Sequence, residues 1–323
     1  MKVIFLGTPE FAVPSLEMLI QNHTVVGVVT QEDKPVGRSH TPVFSPVKKI
    51  ALAHNIPVFQ YHRIRKEGVD DLKKLNADVM VTCAYGQILS QEILDITPVG
   101  VINVHGSLLP KYRGAAPIQW SIINGEKVTG ITILRSEAGM DDGDILLEKE
   151  TPIKEYETSE ELFARLSMMG AECLKEALTL IESGKAVFTT QNHEEATVCK
   201  MLKPYMAKVD FSKPAIEIAN LIHGLNPWPV VKIAIGDFIF KVYKARVMGV
   251  EEVKKYAPDC EKYSAGQVVL SNAKRGLVIK CGKDYLYIVE LQNQNAKRMT
   301  SNAFLNGKHI EVGEFAKSVV EDE

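Results

Sequence analysis

The chain has 323 residues, enough for about two domains at the usual ~100–200 residues each and for a sizeable core. A composition 46% hydrophobic and 24% charged, with a formal net charge of −2, is that of an ordinary soluble protein. The five cysteines (Cys83, Cys173, Cys199, Cys260 and Cys281) are scattered and lack any Cys-x-x-Cys pair, which argues against a zinc site or a disulfide framework and fits reduced thiols in a cytoplasm.

The opening run Met1-Lys-Val-Ile-Phe-Leu-Gly-Thr8 is too short in apolar residues for a signal peptide or membrane span and reads as a first β-strand. Val3–Leu6, Val25–Val29, Val79–Thr82 and Val101–His105 read as strands, and Pro9–Ile20, Pro46–His54 and Val69–Leu75 between them as helices. This alternation predicts βαβ units, hence an α/β, doubly wound, mostly parallel sheet. The first turn, Gly7-Thr-Pro-Glu-Phe11, lacks Gly-x-Gly-x-x-Gly, so a dinucleotide is not indicated. Pro9 suits a first helical turn, whereas Pro14 is placed to kink the helix.

Thr30–Pro46 is a long connection in which Lys34 and Arg38 are the groups able to meet phosphate, although its composition favours a plain surface excursion. Cys83-Ala-Tyr-Gly-Gln-Ile88 reads first as a tight strand-to-helix turn. Its backbone N–H and C=O groups can also read a flat heterocycle.

The most informative stretch is Val101-Ile-Asn-Val-His-Gly-Ser-Leu-Leu-Pro-Lys-Tyr-Arg-Gly-Ala-Ala-Pro117. Asn103 and His105 are two apart on a strand and so share a face. An amide donor and an imidazole then stand side by side at the strand's carboxyl end, where open α/β sheets bind ligands. The same residues read equally as a strand ending in a basic loop with a satisfied histidine.

Thr129–Arg135 is a further strand, followed by the turn Glu137-Ala-Gly-Met-Asp-Asp-Gly-Asp144 and a strand at Ile145–Leu147. The three aspartates lack the EF-hand spacing, which leaves an acidic turn. One of them packed against His105 would favour the charged imidazole and hold its orientation. Thr158-Ser-Glu-Glu161 has capping-box spacing and starts a helix whose apolar residues from Leu162 to Ile181 recur at helical period, with Gly184 as its stop. From about Ala186 to Lys208 the chain reads as an extended linker. Pro214–His223 is a short helix and Gly224–Pro229 a rigid turn. The runs Val230–Ile235, Phe238–Val247, Gly266–Leu270, Gly276–Cys281 and Tyr285–Leu291 suggest a small barrel of oligonucleotide-binding (OB-like) type. From Met206 onward there are 17 Lys/Arg against 14 Asp/Glu, a mildly basic balance compatible with a polyanion. Lys244, Arg246, Lys274 and Arg275 are its candidate contacts.

Taken together, Phe5–Leu16, Thr30–Arg38, Asn103–Ile118, Gly139–Asp144 and Leu225–Pro229 closely resemble the methionyl-tRNA formyltransferase family, over essentially the whole chain. The Asn103–Ile118 run is shared with folate-dependent formyltransferases in general. The opening run and the Arg38 loop narrow the choice to the tRNA enzymes.

The resemblance implies a Rossmann-like formyl-transfer domain at 1–185, a linker at 186–207 and an OB-like tRNA-binding domain at 208–323. It implies Asn103, His105 and Asp141 as the catalytic set. It also implies folate contacts from Ser107, Leu108, Leu109 and Pro110 and from Ala84, Tyr85, Gly86, Gln87 and Ile88, and tRNA contacts from Arg38, Lys34, Lys111 and Arg113. The implied reaction carries the formyl group of 10-formyltetrahydrofolate to the α-amine of initiator methionyl-tRNA for translation initiation. It needs no metal and no membrane and is expected of a cytoplasmic monomer. The alternative is a folate-dependent formyltransferase acting on an amino-sugar nucleotide or another small amine. Family members often follow the loop arginine with Gly and lysines; Ser39-His40-Thr41 stands there in this chain, which implies a weaker grip on the acceptor stem.

Overall fold

A computed structural model describes residues 1–35 and 42–320. The chain divides into two compact units. Unit 1 comprises Met1–Pro117, Val128–Thr151 and Phe163–Lys200; unit 2 comprises Ile118–Lys127, Pro152–Leu162 and Met201–Glu323.

Unit 1 is built on a seven-stranded sheet of β1 (Lys2–Gly7), β2 (Thr24–Thr30), β3 (Val58–Gln60), β4 (Val79–Cys83), β5 (Val101–His105), β6 (Val128–Arg135) and β7 (Ile145–Pro152), in the order β7-β6-β5-β4-β1-β2-β3. β1 pairs in parallel with both β2 and β4, and β4 in parallel with β5. β6 runs antiparallel to β5, so the sheet is mostly parallel with a reversed edge. β1, β4 and β5 are continuous apolar runs because both faces are covered: Val3 to Leu6 and Val79 to Val81 have no exposure. Truncating one such side chain, Leu6→Ala for instance, costs about 2–5 kcal/mol. The chain winds from β1 outward through β2 to β3, then returns to place β4 on the other flank of β1. That reversal opens a crevice at the carboxyl ends, near Gly7 and Cys83.

The helix predicted from Pro9 to Ile20 is split. Glu10–Ala12 form a 3-10 turn, and α1 (Val13–Asn22) begins only afterwards, with Pro14 in its first turn. There the missing N–H of Pro14 has no intrahelical acceptor to lose, so the proline starts the helix instead of kinking it. α2 (Pro46–Ala53) is capped by Ser45, whose hydroxyl accepts the Lys48 N–H. α3 (Ser159–Glu182) opens with the anticipated capping box: Thr158 N and Oγ1 donate to Glu161 Oε2, and Thr158 Oγ1 accepts the Glu161 N–H. Leu162, Leu166, Cys173, Leu174, Ala177 and Leu178 form its buried stripe, and Gly184 ends the segment in the left-handed region at φ +67°.

The stretch anticipated as a linker from Ala186 carries its own pairing inside unit 1. Thr189 bridges Ile145, and Val198–Cys199 pair in parallel with Arg113–Gly114. No apolar period marks such short strands, so nothing local in the sequence announces them.

Unit 2 holds a second seven-stranded sheet, of β8 (Val231–Ile235), β9 (Phe238–Met248), β10 (Val268–Asn272), β11 (Gly276–Lys280), β12 (Tyr285–Asn293), β13 (Met299–Thr300) and β14 (Ala316–Ser318). The order is β10-β11-β12-β9-β8-β14, with β13 paired to β12, and every pairing is antiparallel. The two ends of that order are drawn together by Val268 N donating to Glu314 O and Ala316 N donating to Gly266 O, so the sheet is curled. Phe240, Val242, Ala245, Leu277, Ile279 and Leu291 fill it, and α4 (Ala215–Gly224) buries Ala215, Ile218, Ala219 and Ile222.

Candidate active site

The polar cluster forms where β5 ends. Thr82 on β4 lies opposite Asn103 on β5, and Thr132 on β6 lies opposite His105. Thr82 Oγ1 donates to Asn103 Oδ1 at 2.9 Å, which fixes the amide so that its NH₂ faces outward. Asn103 Nδ2 then donates to Asp141 Oδ1 at 3.3 Å. His105 is buried; its Nε2 lies 2.9 Å from Tyr112 O, a carbonyl that can only accept, so Nε2 carries a proton. Its Nδ1 faces Asp141 Oδ2 at 3.6 Å. The same carboxylate oxygen accepts the Gly114 N–H at 2.8 Å. One carboxylate therefore spans an amide, an imidazole and a backbone donor at the carboxyl edge of the sheet.

Asp141 reaches this position from the turn between β6 and β7 with φ +50°, a left-handed conformation that costs a non-glycine residue about 1–2 kcal/mol. Two neighbours make the turn possible. Gly143 packs so closely that a Cβ there would sit 1.8 Å from Arg135 O. Gly114, at φ +107°, would place a Cβ 2.6 Å from Cys199 O.

The loop after His105 is held from beneath. Ser107 Oγ donates to Lys111 O at 2.8 Å. Thr132 Oγ1 lies 2.7 Å from Ser107 O, accepts the Leu109 N–H at 3.1 Å and meets Glu148 Oε1 at 3.1 Å. With one proton, the hydroxyl can donate to only one of Ser107 O and Glu148 Oε1 at a time. Burial pushes the Glu148 carboxyl up, against the lowering effect of the Thr132 bond.

The second loop, Ala84 to Ile88, starts at the end of β4 with Ala84 at φ +49° and Gly86 at φ +83°. Tyr85 is buried in the core with Tyr61, Ile64 and Met80, and its carbonyl accepts from Gln31 Nε2 at 2.9 Å. The Gln87 side chain is spent within the protein: its Oε1 accepts the Ile64 N–H and its Nε2 donates to Tyr61 O. Ala84, Gly86 and Ile88 are exposed. The loop is thus tied down by Tyr85 and Gln87 and exposed at Ala84, Gly86 and Ile88.

Lys34 and Lys111 are exposed. Arg113 is not: it is 9% exposed, and its Nε and Nη2 donate to Gln191 Oε1 at 3.2 and 2.7 Å. This corrects the expectation of a tRNA phosphate contact from Arg113, because its guanidinium is buried against an internal amide. Arg38 lies outside the described residues. In unit 2, Lys244 pairs with Glu161, Arg246 pairs with Glu252 and lies over the Tyr287 ring, and Arg275 lies over the Tyr256 ring, whereas Lys274 is exposed.

Sequence reasoning passed over Thr132 and Gln191. Thr132 had a signal, being a polar residue among the buried Ile131, Ile133 and Leu134 of β6. Gln191, in a polar extended stretch, had none. Among the described residues no group of three or more His, Cys, Asp or Glu could hold a metal ion, and no helix is long and apolar enough to cross a membrane. A separate cavity of about 920 Å³ opens at the amino end of β5, where Arg135 lies over the Phe188 ring at 3.9 Å.

Residues 1–178 match the formyl transferase family and residues 201–309 the formyl transferase C-terminal domain. The chain is 44% identical over 317 residues to a methionyl-tRNA formyltransferase of Agathobacter rectalis, covering 98% of this chain and 99% of that protein. It is 44% identical over 315 residues to one of Clostridioides difficile, covering 97% and 99%. In fold it is similar to an N-formyltransferase from Helicobacter canadensis solved with folinic acid and dTDP-3-aminofucose, with a TM-score of 0.65 and 18% identity over 91% of this chain and 100% of that one. It is likewise similar to WlaRD, a sugar 3N-formyl transferase, with a TM-score of 0.64 and 19% identity over 92% and 99%.

Proposed function

The chain belongs to the methionyl-tRNA formyltransferase family, and we propose that the cluster at the end of β5 carries the formyl group of 10-formyltetrahydrofolate to the α-amine of initiator methionyl-tRNA. The observation that carries this reading is the Asp141 carboxylate spanning Asn103 Nδ2, His105 Nδ1 and Gly114 N.

The neutral amine attacks the formyl carbon; a C–N bond forms and the carbonyl oxygen becomes an oxyanion. The contacts of Asp141 with Asn103 and His105, at 3.3 and 3.6 Å, are the loosest of the three it makes in the cluster, so the formyl oxygen can take over both donors. A fixed donor of this kind contributes roughly 10²–10³ in rate. His105, as imidazolium with Nε2 anchored on Tyr112 O, keeps Nδ1–H for the oxyanion. Asp141 accepts the proton that the amine releases and, through water, returns one to the folate nitrogen as its bond to the formyl carbon breaks. The proton count balances, and no metal is required.

The backbone of Ala84–Ile88 and of Ser107–Pro110 suits a flat, hydrogen-bonding pterin. Lys34, Lys111 and the Arg38 loop are the proposed acceptor-end contacts. In this reading the curled sheet of unit 2 is an OB-like barrel that helps hold tRNA, and the protein works as a cytoplasmic monomer. Near-full-length similarity to tRNA enzymes favours this acceptor over a small amine. The test is single-turnover formyl transfer by Asp141→Asn and Asn103→Ala. The expected result is a fall of at least about 10²-fold in each, with folate affinity little changed. Unchanged turnover in Asp141→Asn would remove that carboxylate from the mechanism.

A further inference from the structure

Gln191 lies between the two family-matched spans, in a segment where the sequence predicts a linker. It is 5% exposed, and its amide is fully used. Oε1 accepts twice from Arg113, while Nε2 donates to Asp141 O at 2.9 Å and to Gly143 O at 2.7 Å. The first is the carbonyl of the left-handed residue whose carboxylate faces His105, and the second lies two residues further along the same turn. Arg113 is itself tethered to the same segment through His193 Nδ1 and the Thr197 carbonyl. The segment also holds the other partner of His105, since Tyr112 N donates to Thr197 Oγ1 at 2.8 Å and the single S–H of Cys199 lies within reach of Arg113 O at 3.1 Å and Tyr112 O at 3.4 Å.

From this we infer that Gln191 is a positioning residue for formyl transfer, holding the Asp141 turn so that its carboxylate stays registered on Asn103 and His105. An amide is required there, because one end must accept from a guanidinium and the other must donate to two carbonyls. No other uncharged side chain does both at that length. The inference rests on Asp141 acting in catalysis, as proposed above, and the experiment separates the two claims.

Gln191→Glu keeps an acceptor for Arg113 and sets a carboxylate oxygen, in place of the NH₂, against both carbonyls. Gln191→Met also lacks the two donors but adds no charge. Each is made in the full chain alone and together with Asp141→Asn. Turnover, KM for folate and for charged tRNA, and melting temperature are then measured. The expected result is a loss of about 10-fold or more in kcat for Gln191→Glu, since displacements near 1 Å cost up to about 10²-fold. Both KM values should stay within about 2-fold, and the loss in kcat should persist at temperatures well below the melt, which the two unpaired carbonyls lower. In the Asp141→Asn background the same substitution should change kcat by less than about 2-fold, because what it positions has already been lost. Gln191→Met should show the same non-additivity even where it melts earlier for want of the Arg113 acceptor. Losses that multiply in the double variants, or a loss confined to KM or melting, would overturn the inference. Wild-type turnover in Asp141→Asn would instead defeat the reading of Asp141, and the inference with it.

Discussion

His223 in α4 should make unit 2 lose stability in acid. The ring is buried, and its Nε2 accepts the Ala245 N–H at 3.1 Å, which requires the neutral form. Burial, with a smaller push from the Lys244 ammonium, lowers its pKa from 6.5 to about 4. A base whose folded pKa is depressed gives a contribution that is intact above its unfolded value and lost as pH falls from 6.5 toward 4. Across the whole window the loss is roughly 3 kcal/mol, and by pH 5 it is already roughly 2 kcal/mol. The assay is urea unfolding followed by tryptophan fluorescence, because Trp120 and Trp228 both belong to unit 2. Between pH 7.5 and pH 5 the midpoint for the parent should fall by about 1 M, taking a slope of about 2 kcal/mol per M. His223→Gln keeps an acceptor for the Ala245 N–H without an ionisable ring, so its midpoint should be lower at neutral pH but should fall less in acid. Parallel pH dependence in the two proteins would refute the assignment.

Two further outcomes follow from the site. Gly114→Ala puts a Cβ 2.6 Å from Cys199 O at a left-handed φ; it should cost roughly 2–4 kcal/mol, read as an earlier melt, and should slow turnover by moving the N–H that holds Asp141. Lys111→Ala, at an exposed cation beside the site, should flatten the dependence of log Kd for charged tRNA on log salt by about 0.7–0.9; the same slope in both proteins would show that Lys111 touches no phosphate.

The parts of this molecule visible in the sequence are those with a local pattern. β1, β4 and β5 announce themselves as unbroken apolar runs, and Asn103 and His105 share a face because a strand repeats every two residues. α3 carries both its capping box and its stripe. The acidic turn offers three aspartates to His105 and only the family motif singles out Asp141, since 36 positions separate it from His105 and the intervening chain must pass through an antiparallel turn to bring them together. Arg113 reads as exposed from the sequence because a basic residue in a polar loop carries no sign of a distant acceptor. That acceptor, Gln191, is 78 positions away and lies in a stretch with neither apolar period nor turn signal. Side-chain networks of this kind are settled by tertiary geometry and leave no periodic trace.

That this site serves methionyl-tRNA is tested by offering 10-formyltetrahydrofolate with charged initiator tRNA, a purine-type amine and an amino-sugar nucleotide in parallel and following formyl transfer to each. Rapid transfer to methionyl-tRNA alone, slowed by Asp141→Asn, is the predicted result. Transfer to a small amine in preference would contradict the acceptor, and release of formate with every acceptor would contradict transfer itself.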